Sequence, residues 1–195
     1  MNTLQGQIQF INELEKLKAV KRRNLTLDNK RPENSAEHSW HLAMMVPILA
    51  PYSRTEIDQL KVINMLLVHD LGEIYAGDSW LYNESDKEEI SQNELKAFKR
   101  LIECLPVDQQ SELLDLFEEF ETQETEEAKF AKAIDAIQPL LNHLHISHEN
   151  ENPDDIQASM VWKKKTFVKD YAPDLWQLVE ETIDKSVQKG LYKRD

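Results

Sequence analysis

The sequence predicts an all-α fold, a single-domain helical bundle, and three observations carry the class. Apolar residues recur at three- and four-residue spacing along nearly the whole chain. Glycine occurs only 4 times in 195 residues, too few for Gly-rich phosphate loops, Rossmann turns or a many-turned barrel. Strand-like alternation is weak everywhere. With 41% hydrophobic and 30% charged residues, the chain can bury a core and does not have the composition of a disordered one. No repeat, low-complexity tract or linker divides it, so one domain is expected over residues 1–195.

The elements follow in order. Ile8, Ile11, Leu14, Leu17 and Lys18 step along one face of a first helix. The basic segment Lys21 to Arg31 has no period and reads as a loop. Ser35 is placed to cap a second helix running to about Leu49, with Pro51 ending it. Thr55 is placed to cap the third, which is apolar nearly all round from Val62 to Val68 and therefore central. Gly72, Gly77 and Asp78 mark a loop region. A charged helix is expected from Ser85 or Asp86 to about Cys104, and another from Pro106 or Asp108 to about Glu121. Thr125 opens a long helix through Leu141, with Pro139 expected to kink it because its ring meets the carbonyl four residues back. After the polar break Asn150 to Asp155, two further helices are expected, around Ile156–Val168 and Leu175–Lys189.

Charge and cysteine content exclude several functions. A formal charge of −13 repels a polyphosphate backbone, so nucleic-acid binding is not expected, whereas a small phosphate ligand in a locally positive site remains compatible. The single cysteine, Cys104, leaves no internal disulfide and no multi-cysteine zinc site. The first residues lack the charged lead and apolar run of a secretory signal. The longest apolar stretch, Leu42 to Tyr52, holds two prolines and is too short to span a bilayer. A cytoplasmic protein without membrane partners is the expectation.

Chemistry concentrates at Val62-Ile-Asn-Met-Leu-Leu-Val-His69-Asp70-Leu-Gly-Glu73. Two ionisable side chains close an otherwise apolar helix, and burying them costs several kcal/mol unless they are paired or bound to a cation, by the roughly estimated desolvation penalty. Glu73 lies one turn beyond His69. His38 sits near the start of another helix. Asp135 sits mid-helix among alanines and isoleucines, with poor helix propensity and no obvious local partner. Ala128 and Ala131 share its face and allow another helix to approach. Three helices thus offer polar groups to one centre. Two imidazoles and two carboxylates suit Mn²⁺, Fe²⁺, Co²⁺, Ni²⁺ or Zn²⁺ better than Ca²⁺ or Mg²⁺, and such an ion would acidify a water and neutralise a phosphoryl oxygen.

The order His38 … His69-Asp70 … Asp135 resembles the H…HD…D signature of the HD superfamily of metal-dependent phosphohydrolases. Pro32-Glu-Asn-Ser-Ala-Glu37-His38-Ser39 and His69-Asp-Leu-Gly-Glu73-Ile-Tyr-Ala-Gly77-Asp78 are similar to segments of its 5′-deoxynucleotidase-like branch. The resemblance runs from about Leu14 to Leu141. It implies that His38, His69, Asp70 and Asp135 hold a metal. It implies that Glu73 orients or deprotonates the attacking water, that Asp78 serves the nucleotide and the leaving group, and that Arg22 contacts substrate phosphate, with Arg23 as its neighbour in register. The chain departs from the family at one point: a tryptophan often follows that arginine, and here Arg23-Asn24-Leu25 follows. No histidine occurs between Leu71 and Asn142, so one metal ion is expected rather than two. His143, His145 and His148 read as surface residues, His41 as a packing residue or a hydrogen-bond partner of the metal ligands, and Trp40, Met44 and Met45 as core. Trp162, Phe167 and Trp176 are expected to pack the C-terminal helices or a subunit interface, and Cys104 to be inert.

The implied function is hydrolysis of nucleoside 5′-monophosphates to nucleoside and phosphate, deoxyribonucleotides foremost, with a small phosphorylated molecule as partner and a homodimer by family analogy. Two alternatives stand beside it: pyrophosphate or triphosphate hydrolysis on the same fold, and a nucleotide-binding module without turnover.

Overall fold

The computed structural model describes residues 2–28, 30–78 and 87–195. The chain begins with α1 (Thr3–Leu14), capped by Asn2, and a 3₁₀ turn over Glu15–Ala19. Two short strands follow, β1 (Lys21–Leu25) and β2 (Pro32–Asn34), paired antiparallel. Then come α2 (Ser35–Leu49), a 3₁₀ turn at Ala50–Tyr52, α3 (Gln59–Val68) and the one-turn α4 (Glu73–Ala76). The second half is α5 (Lys87–Ile102), α6 (Val107–Thr122), α7 (Glu126–Ile146), α8 (Ala158–Lys165), α9 (Val168–Tyr171) and α10 (Pro173–Gln188). The helical class holds. The expected start of the fifth helix at Ser85 or Asp86 lies outside the described residues.

Five local expectations are corrected. The segment from Lys21 forms a ribbon rather than a loop, because the Ser35 amide donates to the Val20 carbonyl and Asn24 and Asn142 cross-link β1 to α7. The second helix is capped by Asn34, in a reciprocal box with Glu37, which frees the Ser35 hydroxyl for another task. The third starts at Asp58, whose side chain accepts from the Lys61 amide, and not at Thr55. On α1, Ile8 and Ile11 face solvent at 49% and 56% exposure, while Leu17 is buried. Trp40 and Met44 likewise point outward from α2, not into the core.

The long helix α7 organises the molecule, packing against α2, α3, α6, α9, α10 and β1. Ala128 and Ala131 are fully buried in it, which lets α3 come close. The helix continues through Pro139. One apolar core joins α2, α3, α7 and the C-terminal helices; a second gathers Leu17, Val68, Phe98, Leu101 and Phe117 around α5 and α6. Val68 belongs to the second core and Leu66 to the first, so the turn that follows α3 emerges between the two. Among the described residues no helix is long and apolar enough to cross a membrane.

Candidate metal centre

Three nitrogen and oxygen donors meet where α2, the end of α3 and α7 converge. Donor atoms of His38, His69 and Asp135 all lie within 4.8 Å of one another. His38 is wholly buried and His69 is 8% exposed. The His38 Nε2 is 3.2 Å from Asp135 Oδ1, and the His69 Nε2 is 3.9 Å from that oxygen.

The surrounding hydrogen bonds decide which nitrogens are free. The His69 Nδ1–H donates to the Leu66 carbonyl at 2.8 Å, so its Nε2 carries the lone pair. That Nε2 is buried with no hydrogen-bond partner, although Asp70 Oδ1 stands 3.0 Å away out of line. On the other ring the chain of constraint is longer. Glu33, 6% exposed, has only acceptors when ionised, so the Gln138 amide must turn its NH₂ toward Glu33 Oε1, at 3.2 Å. The Gln138 Oε1 then accepts from His38 Nδ1 at 3.1 Å, and the His38 Nε2 lone pair is left facing the Asp135 carboxylate. Lone pair against carboxylate, in a buried site, calls for a cation between them. The donor set fits a divalent first-row metal.

Charge in the site has the same sense. Arg22 Nη1 donates to Asp70 Oδ2 at 2.8 Å and stands 4.0 Å from Glu73 and 3.9 Å from Asp78. Lys132 Nζ donates to Asp135 Oδ2 at 3.1 Å and lies over the Phe120 ring. Four carboxylates thus share two close cations. Burial pushes Glu73 up to about 9, with the Asp70 charge reinforcing it, even though the Ser35 hydroxyl donates to it at 2.6 Å. Asp78 is raised for the same first reason, burial, and by Asp70. Asp135 goes the other way: burial opposes its charge, but the Lys132 ammonium holds it well below the usual carboxylate range. Asp70 is likewise held low, since His69 and Arg22 outweigh its burial. The same balance raises His69: burial works against an imidazolium, and Asp70 and Asp135 more than offset it.

A cavity of about 650 Å³ opens above these groups, lined by Arg22, His69, Asp70, Glu73, Asp78 and Asp135 on its inner side. All the site residues read from the sequence are therefore neighbours. Asp70 stands apart from the three-donor cluster, held by Arg22. Arg23 is not on the inner side: its side chain is 55% exposed and pairs with Asp154 at 3.1 Å.

Residues 14–176 match the family model of the HD domain. The crystal structure of a predicted metal-dependent phosphohydrolase from Magnetospirillum magnetotacticum MS-1 is similar over 97% of this chain and 95% of that one, at 38% identity and a TM-score of 0.89. The chain belongs to the HD-domain phosphohydrolase family. It is 30% identical over 112 residues to human 5′-deoxynucleotidase HDDC2, covering 57% of this chain and 53% of the human protein. It is 31% identical over 121 residues to the Dictyostelium discoideum protein of that name, covering 59% and 64%. An HD-domain phosphohydrolase from Listeria innocua, at 20% identity and a TM-score of 0.64, shares the fold.

Several residues of this HD protein were missed in the sequence. Asp135 does have a local partner, Lys132, one turn earlier on the same face. Gln138, 1% exposed, lies one turn later on that face; a polar residue flanked by Ile137 and Leu140 was its only signal. His143 is not a surface residue: it lines the cavity and its Nδ1 contacts the Tyr192 hydroxyl at 3.1 Å. His145 and His148 are exposed, as expected. His41 is exposed but contacts Gln138 Nε2 at 3.2 Å. Trp162 packs edge-on against Trp176 within the C-terminal helices, and the Cys104 thiol sits over the Leu101 carbonyl without an activating partner.

Proposed function

We propose that the protein hydrolyses the phosphate monoester of nucleoside 5′-monophosphates, deoxyribonucleotides foremost, giving nucleoside and inorganic phosphate. The observation that carries this reading is the unpartnered His69 Nε2 beside His38 and Asp135 at the base of a cavity that also holds Glu73, Asp78 and Arg22. His38, His69, Asp70 and Asp135 are assigned to one divalent ion. When bound, that ion supplies Lewis acidity to a phosphoryl oxygen and makes a water easier to deprotonate at neutral pH.

The chain's own groups do the rest. Glu73, fixed by the Ser35 hydroxyl and 7% exposed, orients the attacking water and, ionised once a cation is held beside it, accepts its proton. Arg22, kept charged by Asp70, Glu73 and Asp78 around it, presents a guanidinium to the phosphate oxygens. Asp78, held neutral more easily than a free aspartate by its burial, protonates the departing 5′-oxygen. The resemblance of the HD segments to proteins named 5′-deoxynucleotidase supports the monophosphate over longer chains. The reading includes a cytoplasmic setting and a homodimer, for which the outward stripe of Trp40, Met44 and Ile48 on α2 is the apolar face to cover.

Phosphate release from a panel of ribo- and deoxyribonucleotides, with Mn²⁺, Co²⁺ and Zn²⁺ supplied separately, tests the proposal. Inorganic phosphate from monophosphates is the expected product. Pyrophosphate or triphosphate from longer nucleotides, with monophosphates untouched, would replace the reading by its alternative.

A further inference from the structure

The same cavity has a wall that the ligand-bearing helices α2, α3 and α7 do not contribute. It is built by the C-terminal part of the chain and includes Lys165, Phe167 and Tyr192. Lys165 is the last residue of α8, whose final turn carries Lys163, Lys164 and Lys165. Three lysines at a helix C-terminus would ordinarily be solvated partners of the helix dipole. Lys163 fits that description and is exposed. Lys165 does not: it is 5% exposed and lines the cavity.

Its charge lacks a counterpart. Among the described residues Lys165 makes no hydrogen bond and no ion pair, whereas Arg22 is held by Asp70 and Lys132 by Asp135. Lys165 lines the same cavity as Arg22, His69 and Asp135, and the charges that act on it most are those of Asp135, Lys132 and Arg22. Burial pushes Lys165 down to about 8, and the Asp135 charge offsets this only in part. An ammonium left unpaired in the interior is expensive. An interior cation that no carboxylate among the described residues satisfies, at the edge of a cavity that opens on a candidate metal site, is a socket for an anion from outside.

We propose that Lys165 holds the phosphate of the substrate, and the phosphate product after it, in the cavity it shares with Arg22. The inference rests on the phosphomonoester reading for the identity of the anion. It gives the C-terminal helices, which carry no recognised motif, a part in substrate binding. It also implies a preference for a dianionic monoester over a neutral nucleoside, because an ammonium binds phosphate as a point charge.

The test uses the full-length, metal-loaded protein and two readouts. The first is binding of inorganic phosphate by calorimetry, which needs no turnover. The second is the split between KM and kcat for a nucleoside 5′-monophosphate. Lys165→Met is expected to weaken phosphate binding and raise KM by about tenfold to hundredfold, the range for loss of one charge-assisted bond, with a smaller change in kcat and the metal content unchanged. Lys165→Arg should recover part of the binding, and Lys163→Met should behave as wild type. If Lys165→Met does not fold, Lys165→Gln carries the same comparison. Wild-type phosphate affinity and KM in the neutral variant would overturn the inference while leaving the phosphatase reading intact. Phosphate binding that depends on Lys165, in a protein that cleaves no monophosphate, would uphold the anion socket and sink the phosphatase reading.

Discussion

Gln138→Met removes the one group that sets the His38 ring. The Gln138 side chain is 1% exposed, accepts from His38 Nδ1 at 3.1 Å and donates to Glu33 Oε1 at 3.2 Å. Methionine keeps the length and volume but supplies neither bond. The imidazole N–H and a carboxylate oxygen of Glu33, itself 6% exposed, are then left buried without partners, at about 1–3 kcal/mol each. The metal-free protein should therefore lose roughly 2–6 kcal/mol; at about 2–4 °C per kcal/mol for a chain of this size, its Tm should fall by roughly 4–24 °C. The ring also loses its preferred tautomer, because the other Glu33 oxygen, 3.7 Å from Nδ1, is too distant to replace the bond. Metal affinity should fall by about tenfold to a hundredfold, the usual range for loss of such a supporting contact. Calorimetric melting of the stripped protein and a competition titration with Mn²⁺ or Zn²⁺ measure the two effects. Wild-type affinity in a well-folded Gln138→Met protein would refute the claim that Gln138 presents His38 Nε2 to a metal.

Gly72→Ala should destabilise the protein by about 1–3 kcal/mol, because a Cβ there would stand 2.7 Å from the Glu94 backbone oxygen of α5; denaturant unfolding measures it. At Gly77 a Cβ meets nothing but φ is +81°, so alanine there should cost only the left-handed backbone penalty, about 1–2 kcal/mol. The Glu73 carboxyl, at 4.5 in the unfolded chain and about 9 in the metal-free fold, gives a signed pH effect. Between those values the folded state holds a proton that the unfolded state has lost, so stability falls as pH rises through that window. Glu73→Gln should flatten the decline, seen as a Tm–pH profile of stripped protein with a smaller slope. Arg22→Met strands Asp70, Glu73 and Asp78 without their shared cation; a loss of about 3–5 kcal/mol at neutral pH is expected, together with a rise in KM in the activity assay.

The helices were legible where a cap and a period coincided. Thr125 does cap α7, and Val62, Met65, Leu66 and Val68 are buried as the run predicts, although Leu67 is 43% exposed. The ribbon of β1 and β2 was not legible. Its residues are basic and polar, its second strand is three residues long, and its bonds run to α7, more than a hundred residues away in sequence. Ile8 and Ile11 had the right spacing for a buried face, but spacing does not say which neighbour covers it. In the site, His38, His69 and Asp135 stood out because each places an expensive polar group among apolar residues. Gln138 and Lys132 share the Asp135 face but belong to residue types that sit on solvated helices everywhere. Lys165 was hidden in a run of three lysines at a helix end, and only the packing of the C-terminal segment distinguishes it from its neighbours.

Manganese soaked into crystals of the stripped protein, located by anomalous scattering, puts the metal assignment to the most direct trial. One ion per chain should appear with His38 Nε2, His69 Nε2, Asp70 and Asp135 at coordinating distance, roughly 2.0–2.3 Å for nitrogen and oxygen donors. An ion bound elsewhere, or none in a site where both rings keep their present orientation, would contradict the account.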